Sequence, residues 1–139
     1  MAKKLKGVVI RVADLDDATS RYAAILGVAP VVIPSDSFFA KGQIAGVRFE
    51  LGDTFIQFVA GVGEDSPLTQ TTAKRGEGIS QISFWVDDVA REMELLREHG
   101  VRFTTDEPRD LPLGRVAFGH PKSLNGVVWE LEEHPDEFA

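Results

Sequence analysis

The chain has 139 residues, of which 43% are hydrophobic and 27% are charged, so it is long enough to bury one core. Its formal net charge of −7 argues against the basic surfaces that bind nucleic acids or anionic membranes. The sequence contains no cysteine, which excludes disulfides, thiolate metal ligands and cysteine nucleophiles.

The first residues, MAKKLKGVVIRVADLDD, contain only a short apolar stretch, which Arg11 interrupts. This stretch is too short for the apolar region of a secretory signal, and no apolar run approaches the length that spans a membrane. We therefore expect a cytoplasmic protein with no nucleic-acid or membrane partner.

The first half of the chain predicts one strand, one helix and three further strands, in a module of about residues 5–61. GVVIRV alternates as a strand does, and Asp14 follows it as a helix N-cap. Gly27 lies where the C-terminus of that helix favours a positive φ angle. A strand in VAPVVIP comes next, and two alternating runs around Gly52-Asp53 then predict a hairpin.

The second half repeats this order in a module of about residues 79–134. Val86 and Asp88 each lie 74 residues after their counterparts Val12 and Asp14. A short strand is expected in VRFTTDEP, and GRVAFGHPKSLNGVVWELEEH predicts the closing hairpin. The segment between the modules, residues 62–78, is rich in Gly, Ser and Thr and reads as a linker loop.

The duplication predicts an α+β fold in which two tandem βαβββ modules form a curved eight-stranded trough, all in one domain of residues 1–139. Alternation assigns one face of each strand to the helix and the other face to the trough. The residues expected to face the helix are Val8, Ile10, Val12, Ile56, Phe58, Ile82, Phe84, Val86, Val127, Trp129 and Leu131. Those expected to face the trough are Gly7, Val9, Arg11, Phe55, Gln57, Val59, Gln81, Ser83, Trp85, Val128, Glu130 and Glu132.

The duplication also relates four trough-facing positions to one another. Gln57 corresponds to Glu130 at an offset of 73 residues, and Gly7 corresponds to Gln81 at an offset of 74. We therefore expect the side chains of Gln57, Gln81 and Glu130 to point at a common place.

The sequence resembles the vicinal oxygen chelate superfamily, which includes glyoxalases, extradiol dioxygenases and bleomycin-resistance proteins. The resemblance covers nearly the whole chain and is carried by VADLDDATSRYAAILG, GVGEDSPLTQTTAKRGEGI, ISFWVDD and FGHPKSLNGVVWEL. The stretches EDSP, KRGEGI and HPKS followed by GV and EL are most similar to the methylmalonyl-CoA epimerase branch. The βαβββ pattern alone indicates only the superfamily.

The resemblance implies a divalent metal held by two histidines, a Gln or Glu, and a final Glu. In this chain the histidine positions fall on Gly7 and Gln81, and the other two fall on Gln57 and Glu130. Both histidines are therefore missing, and we expect no metal cofactor; the candidate ligands of any metal would be Gln57, Gln81 and Glu130. A further proton-shuttling Glu of the family has no direct counterpart, and Glu50 is the closest substitute.

These residues suggest proton transfer without a metal. Gln57 and Gln81 could stabilise a developing enolate oxygen through their amide N–H groups, and Glu130 could act as the base. The alternatives are that Glu130 is a solvated strand carboxylate and that Gln81 only fills a vacated metal site. Ser83, Trp85, Arg11 and Glu50 complete the candidate substrate-binding set. Arg11 could instead neutralise Glu130, and Trp85 could pack against a second subunit.

The resemblance favours an isomerase, epimerase or lyase that acts next to a carbonyl, with an acyl-CoA thioester as a candidate substrate. The alternative is a non-catalytic protein that sequesters a small molecule, as resistance proteins of the superfamily do. Both functions imply a small-molecule ligand, and the family implies a homodimer.

Overall fold

The computed structural model describes residues 3–34, 41–111 and 114–138. These residues form eight β-strands, three α-helices and two short 3-10 helices, which confirms the α+β class. The chain divides into two compact units, each described below by itself. The N-terminal unit comprises residues 8–79, and the C-terminal unit comprises residues 1–7 together with residues 80–139. Strand β1, Lys3–Arg11, contributes residues to both units.

The N-terminal unit contains two helices and three further strands. They are α1 (Leu15–Leu26), β2 (Val31–Val32), β3 (Ile44–Leu51), β4 (Thr54–Gly61) and α2 (Pro67–Arg75). The strands lie in the order β2-β3-β4-β1, with antiparallel pairing of β2 with β3 and of β3 with β4.

Helix α1 begins and ends where the sequence predicts. The Asp14 carboxylate accepts a hydrogen bond from the backbone N–H of Asp17 at 3.0 Å, which satisfies one of the unpaired donors of the first turn. Gly27 ends the helix at φ +67° and donates its N–H to the carbonyl of Ala23. Packed between the helix and the strands is a core of Val12, Ala18, Val47, Phe49, Phe58 and Ala60.

The β3–β4 hairpin has the predicted two-residue turn. Leu51 pairs with Thr54, and Gly52 between them has φ +65°, a value that glycine adopts without strain. This turn determines the register of the hairpin and places Arg48 directly opposite Gln57.

The C-terminal unit repeats the helix-on-sheet arrangement. Its elements are β5 (Gly78–Val86), α3 (Val89–Glu98), β6 (Arg109–Leu111), β7 (Gly114–Gly119) and β8 (Val128–Glu133), with short 3-10 helices at Pro121–Ser123 and Pro135–Phe138. The strand order is β5-β8-β7-β6, in which β5 and β8 run parallel. Asp88 caps α3 as Asp14 caps α1. The core consists of Val86, Val89, Met93, Ala117 and Leu131.

The predicted alternation of faces is confirmed for the strand residues that belong to the two helix-facing cores, whereas Val127 lies before β8 begins at Val128. Ile56 and Phe58 belong to the helix-facing core of the N-terminal unit, and Phe84, Val86 and Leu131 belong to that of the C-terminal unit. The curved trough and the proposed module boundaries stay predictions.

The linker loop expected over residues 62–78 contains helix α2, so that expectation is corrected. Pro67 occupies the first turn, where its missing N–H costs nothing, and it follows Ser66 in an extended conformation. The hydroxyls of Thr71 and Thr72 donate to carbonyls four residues earlier, at 2.9 and 2.8 Å. Gly61 allows this helix to approach β4, because a Cβ atom there would lie 2.0 Å from Oγ1 of Thr69. Threonine and glycine therefore suggested a loop where packing supports a helix.

The strand expected in VRFTTDEP is also corrected. Phe103 forms only an isolated bridge with Gly119, and the regular strand β6 begins after this segment at Arg109. The β-branched threonines favoured a strand in the sequence, but the hydrogen-bonding edge of β7 is paired with residues further along the chain.

Candidate functional site

Strands β5 and β8 place three polar side chains in one hydrogen-bonded row. Ser83 lies directly opposite Glu130 in the parallel register, and Gln81 precedes Ser83 by two residues on the same face. The Ser83 hydroxyl donates to Oε1 of Glu130 at 3.0 Å, and Nε2 of Gln81 lies 3.4 Å from Oγ of Ser83. We call Gln81, Ser83 and Glu130 the β5–β8 row.

Glu130 differs from the two acidic residues that follow it on β8 in the side chain that holds it. Ser83 is only 3% exposed, and Gln81 and Glu130 are half-buried. The two following acids have other partners: Glu132 contacts the Nε2 atom of His134 at 2.8 Å, and Glu133 accepts from the N–H of Val89 at 2.9 Å. The three carboxylates of β8 thus have different hydrogen-bond partners, and Glu130 is the one that accepts from a buried hydroxyl.

Trp85 continues the same face of β5 and carries its own set of contacts. Its ring stacks on His134 with the ring centroids 3.9 Å apart, and Nζ of Lys6 lies 4.0 Å from the Trp85 ring centroid. His134 is held in turn by Glu132. These contacts account for the half-buried indole within the C-terminal unit, so Trp85 as a ligand-binding residue stays a prediction.

In the N-terminal unit, Gln57 is bound by Arg48, a residue absent from the site predicted from the sequence. Nε and Nη2 of Arg48 donate to Oε1 of Gln57 at 3.1 and 2.8 Å, and Gln57 is only 7% exposed. The Arg48 guanidinium also lies over the ring of Phe55, with 3.7 Å from Cζ to the ring centroid. The signal for Arg48 was present in the sequence, since the turn at Gly52-Asp53 makes it the cross-strand partner of Gln57.

Arg11 is tied to a backbone loop. Its Nε atom donates to the carbonyl oxygen of Gly76 at 2.8 Å, and the adjacent Glu77 accepts from the N–H of Ala13 at 2.9 Å. These two bonds attach the loop after α2 to the end of β1. Arg11 therefore helps to hold this loop in place, and its role as a substrate anchor stays a prediction.

The predicted site residues therefore fall into two groups. The C-terminal unit brings together Gln81, Ser83 and Glu130, with Trp85 further along β5. The N-terminal unit contains Gln57, Arg11 and the exposed Glu50. The expectation that Gln57 points at the same place as Gln81 and Glu130 stays a prediction.

The side chains do not fit the divalent metal that the family implies. Gly7 offers no side-chain ligand, and the amide oxygen of Gln57, its only good ligand atom, already accepts two bonds from a guanidinium cation. Within residues 3–34, 41–111 and 114–138, no group of three or more His, Cys, Asp or Glu residues is placed to hold a metal ion. The donors present are amides and one carboxylate, where transition metals favour imidazole.

Among the residues that the structure describes, no helix combines the length and the apolar character needed to cross a bilayer.

The family model and the sequence relatives of this chain indicate the same family. A model of the glyoxalase/bleomycin resistance protein/dioxygenase superfamily matches residues 7–118. The chain is 33% identical over 136 residues to an ethylmalonyl-CoA/methylmalonyl-CoA epimerase of Cereibacter sphaeroides, covering 96% of this chain and 99% of the relative.

Solved structures agree with the sequence relatives. The methylmalonyl-CoA epimerase of Mycobacterium tuberculosis superimposes with a TM-score of 0.77 at 32% identity, covering 96% of this chain and 90% of that one. A variant of the Streptomyces coelicolor methylmalonyl-CoA epimerase, solved in complex with 2-nitronate-propionyl-CoA, gives a TM-score of 0.76 at 29% identity, covering 92% and 94% of the two chains. Since the family model covers most of the sequence and the fold agrees with it, this chain belongs to the glyoxalase/bleomycin resistance protein/dioxygenase superfamily.

Proposed function

We propose that this protein is an epimerase-type isomerase that moves a proton at the carbon next to the thioester carbonyl of an acyl-CoA. Its relatives carry the names of ethylmalonyl-CoA and methylmalonyl-CoA epimerases, and one of them binds an acyl-CoA analogue. The single observation that carries the proposal is the hydrogen bond from the buried Ser83 hydroxyl to the Glu130 carboxylate.

Glu130 is the proposed base. A base must be held in a defined position to remove a proton from carbon, and the Ser83 hydroxyl restrains one carboxylate oxygen of Glu130 at 3.0 Å. Half-burial removes part of its hydration, which would otherwise compete with the substrate.

Gln81 is the proposed donor to the carbonyl oxygen. When the α-carbon loses its proton to Glu130, the electron pair of the broken C–H bond moves onto the thioester oxygen and forms an enolate. An amide nitrogen carries two N–H groups, of which Gln81 directs one to Ser83. Its second N–H is suited to the developing negative charge, an interaction whose removal typically costs about 10²–10³ in rate.

Gln57, which lies in the N-terminal unit, is by itself a candidate hydrogen-bond donor. Because Arg48 binds its amide oxygen with two N–H groups, the amide group of Gln57 is held in one orientation and its NH2 end is directed away from the guanidinium. A donor held in advance needs no reorientation during the reaction, which is the condition for electrostatic stabilisation of an enolate. No step in this proposal requires a metal.

The first test is deuterium exchange at the α-carbon of methylmalonyl-CoA in D2O, followed by mass spectrometry. We expect the wild-type protein to exchange this proton in the presence of EDTA. Glu130→Gln should lower the rate by about 10²–10⁴, the usual contribution of a general base. Exchange reports the removal of the proton; inversion of the centre also requires proton return on the opposite face, which circular dichroism of the product measures.

The matched control is Glu94→Gln, which removes an equal charge from an exposed position on α3 of the same unit and should leave the exchange rate unchanged. Exchange by Glu130→Gln at the wild-type rate would contradict the assignment of the base. Stoichiometric binding of methylmalonyl-CoA with no exchange above the buffer rate would instead support the ligand-sequestering function.

A further inference from the structure

Arg48 holds a positive charge in a fixed orientation on the face of β3 that points away from α1. Two of its N–H groups are used on one acceptor, the Oε1 atom of Gln57, at 3.1 and 2.8 Å. A guanidinium has five N–H donors in one plane, so these bonds occupy one edge and leave the edge formed by the two terminal nitrogens.

Phe55 restrains the Arg48 guanidinium from a second side. The centre of the guanidinium lies 3.7 Å from the centroid of the Phe55 ring, which is a close stacking contact, and Phe55 is only 9% exposed. The ring covers one face of the guanidinium and displaces water from it. With Gln57 at one edge and Phe55 on one face, Arg48 is held in place by its partners.

The charge of Arg48 is not balanced by either partner. Gln57 and Phe55 are both neutral, and among the described residues no carboxylate lies within ion-pair distance of the guanidinium. Glu50 lies two residues along the same face of β3, but it is exposed and pairs with Phe55 in the hairpin register. In a chain of net charge −7, a half-buried and oriented arginine that has no acidic partner in the described part of the chain is suited to a ligand.

We propose that Arg48 binds an oxyanion of the substrate through its terminal nitrogens, an inference that rests on the proposed function. A malonyl-type acyl-CoA offers three such anions: the carboxylate of the acyl group, the 3′-phosphate and the diphosphate of coenzyme A. The planar edge of Arg48 matches the two oxygens of a carboxylate in a bidentate arrangement. The site would therefore select acyl groups that carry a second, ionised carboxyl.

The test is titration calorimetry of Arg48→Met with four ligands: malonyl-CoA, propionyl-CoA, CoA and 3′-dephospho-CoA. Methionine keeps an unbranched apolar chain over Phe55 but removes the charge and all N–H donors. If Arg48 binds the acyl carboxylate, Kd for malonyl-CoA rises about 10- to 100-fold and Kd for propionyl-CoA is unchanged, as expected for the loss of charged hydrogen bonds.

Binding of the 3′-phosphate by Arg48 gives a different pattern of Kd values. If Arg48 binds the 3′-phosphate, Kd rises for malonyl-CoA, propionyl-CoA and CoA, but not for 3′-dephospho-CoA. An equal rise for all four ligands would assign Arg48 to the diphosphate, which all four share. An unchanged Kd for all four ligands would overturn the proposal.

Two further variants separate binding from packing. Arg48→Lys keeps the charge but lacks the planar edge. Its Kd for the affected ligand should therefore lie between the values of the wild type and Arg48→Met. Arg21→Met is the matched control: Arg21 also lies beside an aromatic ring of the N-terminal unit, 5.8 Å from Tyr22, but it is exposed on α1 and should leave all four values of Kd unchanged.

Calorimetry and the α-proton exchange assay together distinguish a failure of this inference from a failure of the proposed function. If wild-type protein exchanges no α-proton but Arg48→Met still weakens malonyl-CoA selectively, the enzyme assignment fails and the anion site stands. If exchange is normal and Arg48→Met changes no affinity, the anion site fails and the enzyme assignment stands.

Discussion

Ser83 connects the two other side chains of the β5–β8 row. It accepts from Gln81 and donates to Glu130, and it is almost fully buried. Because a hydroxyl can do both at once, one small residue orients the proposed base and the proposed enolate donor together. Ser83 is thus a positioning residue, and its effect on the reaction should appear through Glu130.

We expect Ser83→Ala to lower the rate of α-proton exchange about 10- to 100-fold, since it removes a hydrogen bond to a charged group worth about 1.5–3 kcal/mol. The loss should appear in kcat with KM nearly unchanged, because the hydroxyl does not itself contact the substrate in this proposal. Steady-state exchange kinetics measure both constants.

The control for this variant is Ser20→Ala, at an exposed position on α1. A rise of KM in Ser83→Ala at constant kcat would assign Ser83 to substrate binding, against the role proposed here.

At the scale of elements, the two helices α1 and α3 begin in the same way. In each, an aspartate carboxylate accepts from the backbone N–H three residues later, at 3.0 Å for Asp14 and 3.1 Å for Asp88. Both helices pack a buried stripe on their strands and both are short, so a capping bond contributes a substantial part of their stability. The caps define where each helix leaves the strand that carries the candidate residues.

Asp14→Ala should lower the free energy of unfolding by about 1 kcal/mol, within the usual range for loss of a cap. Asp14→Asn is the matched control, because an asparagine oxygen caps nearly as well, and it should cost much less. Urea denaturation followed by circular dichroism measures both. Equal destabilisation by the two variants would mean that the charge of Asp14, and not its hydrogen bond, stabilises α1.

For the whole molecule, each unit has its own hydrophobic core. Phe49 and Phe58 are fully buried in the N-terminal unit, and Met93 and Leu131 in the C-terminal unit. Since both cores consist mainly of helix-facing strand residues and the inner stripe of one helix, each should respond strongly to a cavity. The homodimer stays a prediction.

We expect Leu131→Ala to destabilise the protein by about 2–5 kcal/mol and Phe58→Ala by about 3–5 kcal/mol. Leu5→Ala is the control in the C-terminal unit: Leu5 is 55% exposed, and its truncation should cost less than about 0.5 kcal/mol. Denaturant unfolding measures the loss of unfolding free energy in each of the three variants. A cost for Leu5→Ala equal to that for Leu131→Ala would show that burial does not determine these effects.

The sequence was sufficient to predict the elements and their sidedness where short-range rules apply. The alternation of GVVIRV and ISFWV predicted which residues meet the helices, and Asp14, Gly27 and Gly52-Asp53 predicted a cap, a helix end and a turn. The resemblance to the superfamily is likewise confirmed. The α2 helix was missed, because its threonines and flanking glycines are common in loops and its stability depends on packing against β4 at Gly61.

The partners of the candidate side chains were decided only by the tertiary structure. Ser83 and Glu130 are 47 residues apart and meet because β5 and β8 pair in one particular parallel register. The hairpin turn already implied that Arg48 faces Gln57, but rotamers and packing on Phe55 determine that the guanidinium binds the amide oxygen. Local sequence patterns determine backbone conformation over a few residues, whereas hydrogen-bond partners depend on which distant strands become neighbours.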